Sequence, residues 1–143
     1  MNGSSYYVGR VRINTSQATA VAVYHPTTTA TTLNRDMRIM SLATPINNDF
    51  DATGRAAILN FQRSTYANNL TSFRNNGFTS FTSAMASNTN YMGMTMYNGS
   101  VGLSFLNGVT GTSVGVSTGA FDVSAYGLGT QARGTNETFV GYI

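Results

Sequence analysis

The chain has 143 residues, of which 41% are hydrophobic and only 9% are charged, so it predicts one folded domain over residues 1–143 with a neutral, polar surface. Its net charge of +3 comes from arginines scattered along a lysine-free chain, which argues against a nucleic-acid partner. Without cysteine, a long apolar run or a basic and apolar leader, we expect no disulfide, no thiolate metal site, no membrane insertion and no ordinary secretion signal.

The N-terminal third favours β-strands. Candidate strands cover residues 6–13, 19–24 and 37–42. The threonine-rich residues 27–32 predict an extended edge or an exposed loop, because β-branched side chains disfavour helix.

Residues 53–75 are the single helical candidate. Apolar residues recur there at spacings of seven, four and three, at Leu59, Tyr66, Leu70 and Phe73. Asp51 or Thr53 is a suitable N-cap, and Asn76-Gly77 a suitable end. The Thr and Asn content leaves a β interpretation of part of this segment open.

The last third carries the clearest pattern. Two Asn-Gly pairs, Asn98-Gly99 and Asn107-Gly108, mark hairpin turns between segments in which apolar residues alternate with small or polar ones. Residues 90–143 are therefore predicted to form a contiguous antiparallel meander of about five strands, closed by residues 138–143. The fold class is mainly β, an antiparallel sandwich or barrel-like domain, with one helix near 53–75.

Motifs typical of catalytic or cofactor sites are incomplete here or lie in the wrong predicted structure. His25, the single histidine, stands before Pro26, which favours an extended conformation, and no cysteine is present as a partner nucleophile. The pattern G-x-S-x-G does occur, at residues 111–115 and 115–119, but no helix is predicted after either copy, as a nucleophile turn requires. Residues 47–51 resemble a calcium loop but lack the later Gly and Glu, so capping and turn formation explain them better. Residues 127–132 fit G-x-G-x-x-A, yet a strand rather than a helix is predicted after them. We expect a non-enzymatic protein with no catalytic residue, cofactor or metal.

Aromatic and methionine residues are the remaining signal. Phe and Met, including the row Met92, Met94 and Met96, are expected to fill the core. Tyrosine suits interfaces and sugar stacking, because its ring is apolar and its hydroxyl is polar. The candidate interface or receptor contacts are the tyrosines on or near predicted strands: Tyr6, Tyr7, Tyr91, Tyr97, Tyr126 and Tyr142.

A small, charge-poor β domain rich in Thr, Asn, Ser and Gly resembles the virion proteins of bacteriophages: head decoration proteins, tail knobs and fibre tips. The ending Phe139-Val140-Gly141-Tyr142-Ile143 also resembles the closing strand of trimeric TNF/C1q-like jelly rolls, a fold used in some phage tail knobs. The helix near 53–75 departs from that jelly roll.

The resemblance implies a virion structural or attachment protein that contacts itself, other virion proteins and, in an attachment role, a cell-surface glycan. A homo-oligomer is expected, with a trimer favoured, since interfaces enrich Tyr, Met and Arg and deplete Lys and Glu. The alternative is a bacterial adhesin or carbohydrate-binding module.

Overall fold

The structure is a computed structural model, which describes residues 7–13, 17–43, 56–61, 68–74, 77–98, 101–113, 121, 123–130 and 138–143. The strands of these residues form two antiparallel sheets. Sheet A has seven strands, in the spatial order β1 (Tyr7–Ile13), β11 (Val123–Leu128), β3 (Met37–Ala43), β4 (Ala56–Phe61), β5 (Asn69–Arg74), β6 (Gly77–Ala84) and β10 (Thr112–Ser113). Sheet B has five, in the order β12 (Gly141–Tyr142), β2 (Gln17–Pro26), β7 (Tyr91–Asn98), β8 (Val101–Leu106) and β9 (Val109–Thr110).

The two sheets pack face to face. Strand β2 lies over β3, β7 over β4, and β8 over β5 and β6. Large side chains that are almost fully buried fill the space between them: Tyr24, Met37, Ile39, Leu70, Tyr97, Phe121 and Phe139. The predicted mainly-β, antiparallel fold is confirmed, as are the strands expected within 6–13, 19–24 and 37–42.

The helix predicted over 53–75 is wrong. The described parts of this segment are the strands β4 and β5, which pair with each other and with β3 and β6 on either side. Pairing on both sides satisfies the backbone of a Thr-, Ser- and Asn-containing segment for which helix is intrinsically poor. The four apolar positions matched a helical spacing by coincidence.

The helix that does form lies in the threonine-rich segment. Helix α1 (Ala30–Leu33) is a single turn. The Thr29 hydroxyl accepts a hydrogen bond from the Thr32 backbone N–H, and Asn34 ends the turn in the left-handed conformation with φ 54°. Capping at both ends therefore overrides the low helix propensity of threonine over one turn, which corrects the predicted loop or edge.

The C-terminal meander is confirmed only as far as β9. Asn107 and Gly108 have φ of 50° and 84°, the positive values that a tight hairpin turn requires. A hairpin also joins β7 and β8, but Asn98 belongs to β7 and pairs with Val101 instead of lying in the turn, as the Asn98-Gly99 prediction requires; residues 99 and 100 lie outside the described ranges.

Beyond β9 the predicted contiguous sheet is wrong. Strand β10 pairs with β6, β11 inserts between β1 and β3, and β12 joins β2. These partners are distant in sequence, so local alternation reveals that the strands exist and not where they pair.

Candidate interaction surface

The candidate surface is built on β2 and β7, which pair along their length from Gln17 opposite Asn98 to Tyr24 opposite Tyr91. Successive side chains of a strand point to opposite faces of a sheet. Sheet B therefore has one face toward sheet A and one face away from it. The distribution of residue types between these two faces is the unusual feature of the molecule.

The inward face carries small and hydroxyl-bearing residues beside three tyrosines, Tyr24, Tyr91 and Tyr97. Tyr24 crosses over Gly93, where a Cβ atom would lie 2.9 Å from Tyr24 Cε1 and 3.3 Å from Leu70 Cδ2. The Tyr24 ring stacks on Tyr91 with ring centroids 5.9 Å apart, and its hydroxyl donates to Met85 Sδ over 3.0 Å. The absence of a side chain at Gly93 thus makes room for a phenol in the core.

Polar atoms are also drawn into the interior at the other end of β7. Tyr97 is buried, forms a hydrogen bond with the hydroxyl of Ser72, and tilts against Phe121 with ring centroids 5.7 Å apart. Thr95 is fully buried, and among the described residues its Oγ1 has no hydrogen-bond partner. An unpaired buried hydroxyl costs stability, so the inward face of β7 is not optimised as an apolar core.

The outward face of sheet B carries the larger apolar side chains instead. We call this the outer face and define it by residues of three adjacent strands: Val21, Val23, Met92, Met94, Met96, Leu103 and Phe105. Val23 is 65% exposed, Val21 55% and Met92 46%, and the other four are half-buried. The prediction that the methionine row fills the core is therefore wrong.

Hydrogen-bonded polar pairs lie at both ends of the outer face. Gln17 Nε2 donates to Asn98 Oδ1 over 2.9 Å at one end, and His25 Nδ1 donates to Asn90 Oδ1 over 2.9 Å at the other. Tyr142 extends the second pair, because it lies opposite His25 and the two ring centroids are 5.9 Å apart. An apolar centre with a polar rim is the usual anatomy of a protein–protein interface.

The outer face also lacks charge. Its seven defining residues include no Asp, Glu or Arg. The same holds for the rim, which consists of Gln17, Asn98, Asn90, Tyr142 and the imidazole of His25. A contact made through these residues therefore desolvates no carboxylate or guanidinium, the most costly groups to bury.

The six candidate tyrosines do not share one surface. Tyr142 is 53% exposed, whereas Tyr97 is buried, which removes it as a contact. Tyr91 and Tyr126 are half-buried against the core. Tyr7 lies in β1 of the other sheet, and Tyr6 lies outside the described residues.

A sequence signal for the outer face does exist in β2. Alanine occupies positions 18, 20 and 22, whereas Thr19, Val21 and Val23 take the alternate positions. This alternation separates a bulky face from a small one. The usual rule would turn the bulky face inward, and the structure turns it outward because Tyr24, on the alanine face, is the residue that packs into the core.

Two further properties concern the described residues alone. They contain no group of three or more His, Asp or Glu side chains placed to hold a metal ion. Nor do they include a helix long and apolar enough to cross a membrane.

Comparison with known proteins finds no family that matches the chain and no curated protein with significant sequence similarity to it. The functional interpretation therefore depends on the outer face and the composition.

Proposed function

We propose that this chain is a non-enzymatic structural or attachment subunit of a bacteriophage particle, and that it works through protein contacts made by the outer face. The observation that carries the proposal is the inversion of sheet B: Val21, Val23, the methionine row of β7, Leu103 and Phe105 point away from the core. A catalytic role would call for convergent reactive groups, and the outer face offers apolar area instead.

Exposed apolar area of this kind supports a contact role on energetic grounds. Burying it gains about 25 cal/mol for each Å² removed from water. Contiguous apolar patches with a polar rim mark interaction sites in soluble proteins. Val21, Val23 and Met92 are adjacent across the β2–β7 pair, so the exposure is contiguous.

The composition supports a virion in particular. A lysine-free, charge-poor chain rich in Thr, Asn, Ser and Gly resembles the accessory proteins of phage heads and tails. The rim also carries an aromatic ring, an imidazole and an amide side by side, from Tyr142, His25 and Asn90. In an attachment role, such a row suits contact with a glycan.

The test is co-sedimentation of the purified chain with purified phage particles and, separately, with envelopes of the host cell. Binding that saturates at a fixed number of copies per particle, or envelope binding lost in Tyr142→Ala, is the expected result. Val21→Arg should weaken the binding at least tenfold, whereas the matched control Val109→Arg should not. Failure of the wild-type chain to sediment with either material would contradict the proposal.

A further inference from the structure

We propose that the outer face pairs with the outer face of a second copy of this chain across a two-fold axis. This deepens the proposed function and rests on it in one respect, that the outer face is a protein contact. The charge and the shape of the outer face favour a second copy as its partner, and the area of the face sets the strength of the contact.

The lack of charged residues on the outer face favours a second copy as its partner. Self-pairing presents a face to a copy that carries the same net charge, so a charged face repels itself. The outer face has no Asp, Glu or Arg, and the amide pair of Gln17 and Asn98 at its rim can both donate and accept. Two copies therefore meet without like-charge repulsion, although the whole chain carries a net charge of +3.

Shape gives the pairing a geometry. The methionine row of β7 runs down the middle, with Val21 and Val23 of β2 on one side and Leu103 and Phe105 of β8 on the other. A two-fold axis parallel to β7 places β2 of one copy over β8 of the other. Small side chains then face large ones, and the flexible methionines fill the gaps between the two layers.

Area sets the strength of the contact. With strands about 4.8 Å apart and about 3.3 Å per residue, the face with its rim spans about 26 Å along the strands, from Gln17 to His25, and about 14 Å across β12, β2, β7 and β8. Each copy then covers several hundred Å², below the roughly 800 Å² per partner of a standard stable complex. The dimer should therefore dissociate at low micromolar concentration, and many copies on one particle would raise the effective concentration.

This geometry departs from the trimer that the sequence favours. A face that meets its own copy across a two-fold axis is isologous, so it closes with two subunits. An assembly built from this contact contains an even number of copies.

The experiment is sedimentation velocity with light scattering from about 1 to about 100 µM, the range in which a contact of this size dissociates. Wild type should pass from monomer to dimer. Val21→Arg and Val23→Arg should weaken association at least thirtyfold, because each would bury a guanidinium without a partner.

Val109→Arg is the matched control. Val109 is 60% exposed, like the two test valines, but it pairs with buried Leu106 and so lies off the outer face. It should dimerise as wild type does. Circular dichroism and thermal unfolding must show all three variants folded, which is expected because each site is largely exposed.

A second measurement uses the absence of cysteine from the chain. Facing sheets lie about 10 Å apart, too far for a disulfide but within reach of a short bis-maleimide. Met94→Cys, next to the axis, should crosslink into covalent dimers, and Val109→Cys should not.

The outcomes separate the two proposals. A wild-type chain that stays monomeric to about 100 µM, forms a trimer, or shows equal association for Val21→Arg and Val109→Arg overturns the second-copy proposal. If that chain still sediments with particles or envelopes, the proposed function stands. A dimer that binds neither material overturns the proposed function and leaves the pairing in place.

Discussion

At the scale of single residues, Tyr24 decides which face of sheet B is inside. Its ring occupies the space above Gly93, meets Phe139 edge-on with ring centroids 6.0 Å apart, and is almost fully buried. Burial raises the pKa of the Tyr24 hydroxyl far above its ordinary value, and the nearby Tyr91 raises it further. The folded protein therefore holds this phenol neutral at any pH at which the fold persists.

Tyr24 should make the protein sensitive to alkali. The pKa of Tyr24 is raised in the folded state, so above the ordinary tyrosine pKa of about 10 the unfolded chain loses this proton more readily than the folded protein. The free energy of unfolding that depends on the neutral phenol is therefore complete below about pH 10. It falls above that pH by up to about 1.4 kcal/mol per pH unit. We expect Tyr24→Phe to flatten the fall of unfolding free energy above about pH 10, measured by urea titration at several pH values.

Tyr24→Phe also removes the hydrogen bond to Met85 Sδ, so its stability at neutral pH should fall by about 1 kcal/mol. An unchanged alkaline slope in Tyr24→Phe would refute the role given to burial.

At the scale of elements, the two-residue strand β12 depends on a close approach of backbones. A Cβ atom at Gly141 would lie 2.1 Å from the His25 carbonyl oxygen and 2.8 Å from Pro26 Cα. Backbone atoms cannot turn aside as a flexible side chain can. Glycine at 141 therefore lets β12 add to the edge of β2 and brings Tyr142 beside His25.

Gly141→Ala should detach this strand. We expect a loss of about 3 kcal/mol in unfolding free energy, since the clash forces β12 away from β2 and uncovers Phe139. Gly108→Ala is the comparison: its Cβ would meet no atom within 4 Å, and only its positive φ of 84° is costly, by about 1 kcal/mol. Urea unfolding of both variants checks the order, and equal losses would contradict the close-approach explanation.

The elements also show what sequence reasoning can and cannot reach. Alternation located β7 and β8, and the Asn107-Gly108 pair located a turn, because these features depend on neighbours in the chain. Strands β4 and β5 were mistaken for a helix, because their partners β3 and β6 are set by tertiary pairing. The outer face was assigned to the core for the same reason: which side of β7 is inward depends on the Tyr24–Gly93 contact across strands.

At the scale of the whole molecule, charge is scarce and is kept off the outer face. Among the described residues, Arg38 is buried with Nη1 3.5 Å from Asp36 Oδ2, and its backbone forms an isolated β-bridge with Thr138. The face that we propose for pairing is formed by apolar residues, and its polar rim contains no Asp, Glu or Arg. Association should thus depend on area removed from water and hardly at all on electrostatic attraction.

This separation predicts how association responds to salt. Contacts held by charge weaken as ionic strength rises, because screening shortens the range of attraction from about 10 Å at 0.1 M to about 3 Å at 1 M. With no Asp, Glu or Arg on the outer face, the dimer dissociation constant should change less than about twofold between 0.1 and 1 M sodium chloride. Sodium sulfate, which favours burial of apolar surface, should tighten the dimer at matched ionic strength. Sedimentation velocity in both salts measures the two effects. A dimer that falls apart as sodium chloride is raised would mean that the arginines of the chain, and not the valine and methionine rows, hold the copies together.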